Sequence, residues 1–225
     1  MKISTFIALP FAVVLLSSCS TKFSAQERAT LSSIKISPTQ QMSDAYQDPK
    51  GAAPGTMNSV AGATGGGLIG ALIGSAVEAT QNNMFEGREG EKFAKLKSAS
   101  PKNISGSVDR EVKKAFKGNP FFSSKIKGQS ANTVTSKITG YSLARTGKTE
   151  GTLLMSPSIT ADVTITGADG KEIGSGWENV SGISTISQPV AAYIANPSLL
   201  KKGYEEAARN LGTNFTGQLA QRTAE

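Results

Sequence analysis

The chain has 225 residues, a formal charge of +7, a single cysteine, no histidine and only 6% aromatic residues. Without histidine there is no Ser-His-Asp or Cys-His arrangement, and the commonest metal ligand is missing. One thiol allows neither an internal disulfide nor a thiolate metal cluster. Carboxylate chemistry stays open, but no acidic pair stands out. No catalytic residue, metal site or cofactor is therefore expected.

The positive excess is mild and spread over residues 92–102, 113–117 and 125–148. Nucleic-acid binders gather basic residues on one face, with stacking aromatics or a groove-reading helix. No nucleic-acid partner is expected here. These side chains are expected to face water or an anionic lipid surface.

Lys2 and the apolar run at residues 6–16 have the form of a secretory signal. A spanning helix needs roughly twenty apolar residues, so this run is too short to be one. It leads directly into Leu16-Ser17-Ser18-Cys19, which resembles the lipobox of bacterial lipoproteins. The resemblance implies cleavage before Cys19, diacylation of its thiol and acylation of the new amino terminus. Loss of residues 1–18, with Lys2 their one charge, would take the net charge from +7 to +6. Ser20 occupies the position where, in that family, aspartate favours inner-membrane retention, so it points to the outer membrane and a periplasm-facing domain. The plainer alternative is an ordinary signal peptide with Cys19 incidental to the cut.

Residues 19–32 are polar and are expected to form a flexible, lipidated tether. A single domain is expected over 33–225. It opens with the alternating Ser33-Ile34-Lys35-Ile36-Ser37, a half-buried strand ended by Pro38. Residues 40–56 are rich in turn formers and read as loop.

Gly62, Gly66, Gly70 and Gly74 then recur every four residues, within a predicted helix at about 59–80. Positions four apart share a helix face, so the glycines would line a smooth groove. Each costs about 1 kcal/mol against alanine in a helix interior, and a close-packed neighbour would offset that. The neighbour could be this domain's own sheet, a partner helix or second copy, or lipid. The segment resembles the glycine zippers of certain small outer-membrane lipoproteins, although the paired second zipper typical of them is missing.

Residues 78–96 could continue that helix, with a break at Gly87 or Gly90. A cleaner helix is predicted over 105–117, where Val108, Val112, Ala115 and Phe116 share a face and Gly118 and Pro120 end it. Strands follow at 133–143, with a bulge near Gly140, and at 159–166, where Ile159, Ala161, Val163 and Ile165 alternate with polar residues. Ala168-Asp169-Gly170-Lys171 supplies turn chemistry for a return strand carrying Ile173, Ser175 and Trp177 on one face. Trp177 reads as a core anchor, with a ligand platform as the alternative. Asn196 and Pro197 look like the start of a closing helix. Its stripe is Leu200, Tyr204, Ala207, Leu211, Phe215 and Leu219, and Gly203, Gly212 and Gly217 are expected to weaken it.

Gly147-Lys148-Thr149 matches the end of a phosphate-binding loop, but Ser142 stands where that motif needs glycine. An inter-strand turn is the better reading. Asn-x-Ser/Thr triplets at Asn103, Asn179 and Asn214 carry little meaning in a bacterial lipoprotein.

The expected architecture is α+β, a mostly antiparallel sheet of about four strands with helices on one face. It faintly resembles small periplasmic domains of the YajG and TolB N-terminal kind. The expected function is a non-catalytic envelope lipoprotein. It would be anchored through Cys19 and would bind an envelope protein or a second copy of itself. The alternative is a lipoprotein that inserts or oligomerises through the helix bearing Gly62 to Gly74.

Overall fold

The structure, a computed structural model, describes residues 22–47, 90–150 and 152–224. Cys19 and the glycine row at Gly62, Gly66, Gly70 and Gly74 lie outside the described residues. In chain order the elements are α1 (Ala25–Thr30), β1 (Lys35–Ile36), β2 (Gln40–Gln41), α2 (Gly90–Ala99) and α3 (Ser105–Gly118). They continue with β3 (Thr133–Thr149), β4 (Thr152–Thr166), β5 (Trp177–Ile183), α4 (Val190–Ala195) and α5 (Pro197–Thr223).

The fold is α+β, as composition and periodicity suggest, but the sheet is mixed and has five strands. Its centre is an antiparallel meander of β3, β4 and β5. Strict alternation in β4 buries Ile159, Ala161, Val163 and Ile165 and leaves Ser158, Thr160, Asp162 and Thr164 half-buried on the other face. Period two is the signature of a strand with one face on a core. The register slips between Ile138 and Gly140, where the sequence predicts a bulge, and again between Arg145 and Gly147. Both strands run farther than the apolar pattern implies, with Thr149 pairing Thr152 at the hairpin end. Gly147, Lys148 and Thr149 are thus strand residues beside a turn, not part of a phosphate loop.

The expected loop at 40–47 is instead part of the sheet edge. Lys35 pairs with Thr133, Gln40 with Lys137 and Tyr46 with Tyr141, all parallel, so this stretch tracks β3 in short segments. Pro38 interrupts the ladder because it has no N–H to give. At the gap, the Thr39 and Ser136 hydroxyls lie 2.6 Å apart, and the Thr39 N–H donates to Asp109 at 3.1 Å.

α3 and α5 cover the apolar face. All six residues of the predicted α5 stripe are buried, each large aliphatic contributing about 1.5–3 kcal/mol. The α5 glycines do not fray the helix, which runs unbroken to Thr223. Gly203 lies against Pro157, where a Cβ would come within 2.5 Å of the proline ring. Gly212 lies against Glu111 of α3, with a Cβ 2.7 Å from that side chain. Gly182 of β5 sits so close that a Cβ would strike the α5 backbone at Ala207. These glycines let the layers approach, and for Gly203 and Gly212 the contact offsets the intrinsic cost of glycine in a helix.

The return strand starts later than expected. Gly167 N–H bonds Lys171 C=O to close the turn, and Gly174 then adopts φ +69°, so the chain bulges before pairing resumes at Trp177 with Val163. Ile173 and Ser175 therefore lie outside β5.

Candidate functional site

The largest departure from expectation is at the amino-terminal end. Residues 19–32 read as tether, yet from Lys22 onward this stretch is folded onto the domain. Ser24 and Glu27 form a capping box: the Glu27 N–H donates to Ser24 Oγ at 3.2 Å and the Ser24 N–H donates to Glu27 Oε2 at 2.6 Å. Phe23 just before it is 5% exposed, and Leu31 just after it is fully buried. The short helix hides this because most of its residues are polar and only its flanks are anchored.

Two ties bind this segment to the far end of the chain. The Phe23 N–H donates to the Arg222 carbonyl at 3.1 Å. Arg28 donates to the carbonyls of Thr223 and Ala224 at 2.9 and 2.8 Å. A cation on the last carbonyls of a helix satisfies acceptors that have no partner within it, and opposes the negative end of its dipole. The first described residues and the end of α5 thus meet at one pole of the domain.

An aromatic file runs from the core to this pole. Trp177 meets Phe215 edge-on at 5.4 Å, and Phe116 meets Phe122 at 5.1 Å. Phe122 meets Phe121 at 4.8 Å, and Phe23 stacks on Phe121 at 6.4 Å. Trp177 is 4% exposed and enclosed by these rings, so it is a core anchor. Phe121 is the half-buried outer member of the file.

Cations cap the file. Lys125 Nζ stands 3.3 Å from the centroid of Phe121, and the Arg28 guanidinium stands 5.1 Å from it. Attraction to the negative face of a ring holds both there. Burial, and then the like charge of Arg28, push the Lys125 ammonium below its usual range. On the inner side, Arg222 is 5% exposed. Its guanidinium lies 4.5 Å from the Trp177 ring and donates to Ser175 O, to Ser175 Oγ at 2.6 Å and to Gly176 O at 3.2 Å. Burial lowers its pKa, while the charges of Glu172 and Glu27 act in the opposite direction.

The other residues singled out in the sequence are structural where they are described. Asp162 accepts the Asn179 N–H at 2.8 Å, and Asp169 accepts the Lys171 N–H at 3.1 Å within its turn. Asn196 Oδ1 accepts the Ser198 hydroxyl at 2.6 Å rather than capping a helix N–H. Among the described residues no group of three or more His, Cys, Asp or Glu could hold a metal ion. None of the described helices is long and apolar enough to cross a membrane. Sequence reasoning missed Arg28, Phe121, Lys125 and Arg222. The available signals were the Ser24-x-x-Glu27 capping-box spacing before Arg28 and the pair Phe121-Phe122 followed closely by a lysine, and neither says where in the fold it lies.

No protein-family model matches this chain, and no curated protein matches it. Among solved structures, protein XCC0632 from Xanthomonas campestris, assigned to DUF330, aligns with 85% of this chain and 88% of its own at 14% identity, with a TM-score of 0.34. The Evf virulence factor aligns with 46% of this chain and 41% of its own at 14% identity, with a TM-score of 0.18.

Proposed function

We propose that this chain is a non-catalytic bacterial envelope lipoprotein, held in the outer membrane through acyl chains on Cys19 and facing the periplasm. Its domain binds or assembles with another envelope component, either a protein or a second copy. The observation that carries the reading is Leu16-Ser17-Ser18-Cys19, placed directly after the apolar run at 6–16. Cleavage before Cys19 removes none of the described residues, which begin at Lys22. Two or three acyl chains on one residue anchor stably, whereas a single chain holds only marginally.

The test is labelled palmitate and cell fractionation. The native chain should incorporate label and stay with the membranes, and Cys19→Ser should lose the label and appear in the soluble fraction. Unlabelled protein, or a serine variant equally membrane-bound through its amino terminus, would exclude this anchor.

The four-residue glycine period from Gly62 to Gly74 favours a second reading, insertion or oligomerisation through that helix. Gly66→Leu with Gly70→Leu should then abolish oligomers while the domain stays folded. Unfolding of the domain by the same pair would instead mark the glycines as internal packing.

A further inference from the structure

The lipid-anchor reading and the folded pole combine into a constraint that neither supplies separately. A flexible tether to residue 32 would span roughly 45 Å when extended. That would let the domain float far beyond the Debye length, about 8 Å at physiological salt. The folded body instead begins at Lys22, three residues past Cys19. Three residues reach at most about 11 Å. Charges at the pole are therefore kept within about one to one and a half Debye lengths of a lipid surface, near enough to feel part of its potential.

The charges present there have a definite arrangement. Arg28 and Lys125 flank the half-buried Phe121, and the exposed Lys22 precedes Phe23. Among the described residues, the two carboxylates placed at this pole, Glu27 and Glu172, lie on the Trp177 side. Glu27 is turned back onto the Ser24 N–H, and Glu172 lies over Gly176, where a Cβ would come within 2.7 Å of its Oε1. Among the described residues, the side chains at the outer rim of the aromatic file are cationic, with an apolar ring at their centre. Such a surface complements an anionic headgroup layer, in which phosphates accept from lysine and arginine and an aromatic ring sits at the boundary.

Resting on the lipoprotein reading, we propose that the pole formed by Lys22, Arg28, Phe121 and Lys125 is a docking face for anionic phospholipid headgroups. It holds the domain in one orientation on the membrane to which Cys19 tethers it. The long β3–β4 hairpin and the exposed side of α3 are then left free for a protein partner.

The experiment uses the chain without residues 1–18, which keeps every described residue. Its one thiol, Cys19, is coupled to a maleimide-bearing lipid in vesicles of phosphatidylcholine, with or without about 30% phosphatidylglycerol. Amide exchange at residues 22–31 and 120–127 should slow on the anionic vesicles alone. The protection should vanish in about 0.5 M salt, where the Debye length is about 4 Å. In the uncoupled protein, Lys125→Gln should weaken partitioning onto anionic vesicles about fivefold, the effect of one basic residue at a lipid surface, with an unchanged unfolding curve. Equal exchange on both vesicle types overturns the proposal, as does protection confined to residues 59–80 or to the hairpin end at 147–152. Because the thiol is coupled chemically, none of these outcomes depends on whether cells lipidate Cys19. Palmitate labelling decides that separately.

Discussion

The Asn214 side-chain amide donates to the carbonyl of Ser181 at 2.8 Å, across from α5 to the outer edge of β5. One helical turn earlier, Asn210 makes the same bond to Ile183 at 2.7 Å. Four residues of helix rise about 6 Å and two residues of strand about 6.6 Å, so the two repeats match. Carbonyls that would otherwise form an open sheet edge are thereby occupied. The opposite side of the sheet is taken by the broken segment from Ile34 to Tyr46. Adding a strand to either side meets an obstacle, which is how natural sheets avoid uncontrolled association.

Replacing both asparagines by alanine should expose the β5 edge. Each lost bond is expected to cost about 1 kcal/mol, read as a lower urea midpoint. The double variant should also associate with rising concentration, seen by light scattering, whereas the native chain should not do so through this edge. A double variant with an unchanged midpoint and the native scattering would remove the edge-protection argument.

The α5 glycines should divide by location, not by helix propensity. A Cβ at position 217 would meet nothing within 4 Å beyond its chain neighbours and the adjacent backbone of its own helix, so Gly217→Ala should stabilise the chain by up to about 1 kcal/mol. Gly212→Ala drives a methyl against Glu111 and should cost about 1–3 kcal/mol despite the better propensity. Gly182→Ala meets backbone and should be worse than either. Urea unfolding of the three variants checks the order, and equal effects at positions 212 and 217 would contradict it.

Phe23→Ala separates a folded amino-terminal segment from a tether. Removing a buried phenylalanine typically costs about 3–5 kcal/mol, and Phe23 lies at the margin of the core, so about 3 kcal/mol is expected. Amide exchange at 24–31 should rise in the variant more than exchange in β4. A tether would show neither effect.

Stability should fall on the acid side in a way that depends on Glu206. The Ser184 and Thr185 hydroxyls each donate to its carboxylate at 2.6 Å and hold its pKa below the ordinary 4.5. Between the depressed folded value and the ordinary unfolded one, the unfolded chain binds more protons, so stability rises with pH there. The contribution is complete above the unfolded pKa and is lost as pH falls through the folded one. Glu206→Gln should flatten that part of the stability profile, measured by urea unfolding from about pH 6 to pH 3. A profile that keeps its full acid slope would assign the effect to other carboxylates.

What could be read directly from the residues was local. Alternation over Ile159 to Ile165 marks β4 because strand side chains alternate faces every residue. The stripe from Leu200 to Leu219 marks α5 because it returns to one face at helical spacing. The proposed lipid anchor at Cys19 rests on a short contiguous motif and needs no fold at all. Tertiary structure decided the rest, since the deciding contacts join residues far apart in the chain. Arg28 reaches Thr223 across 195 positions, and the Thr39 hydroxyl reaches Ser136 across 97. Nothing periodic announces a capped six-residue helix, an asparagine pair facing a strand edge, or a glycine whose missing Cβ admits a proline. Their roles arise only when closure of the chain brings a partner to within about 3 Å, the range over which a hydrogen bond or van der Waals contact acts.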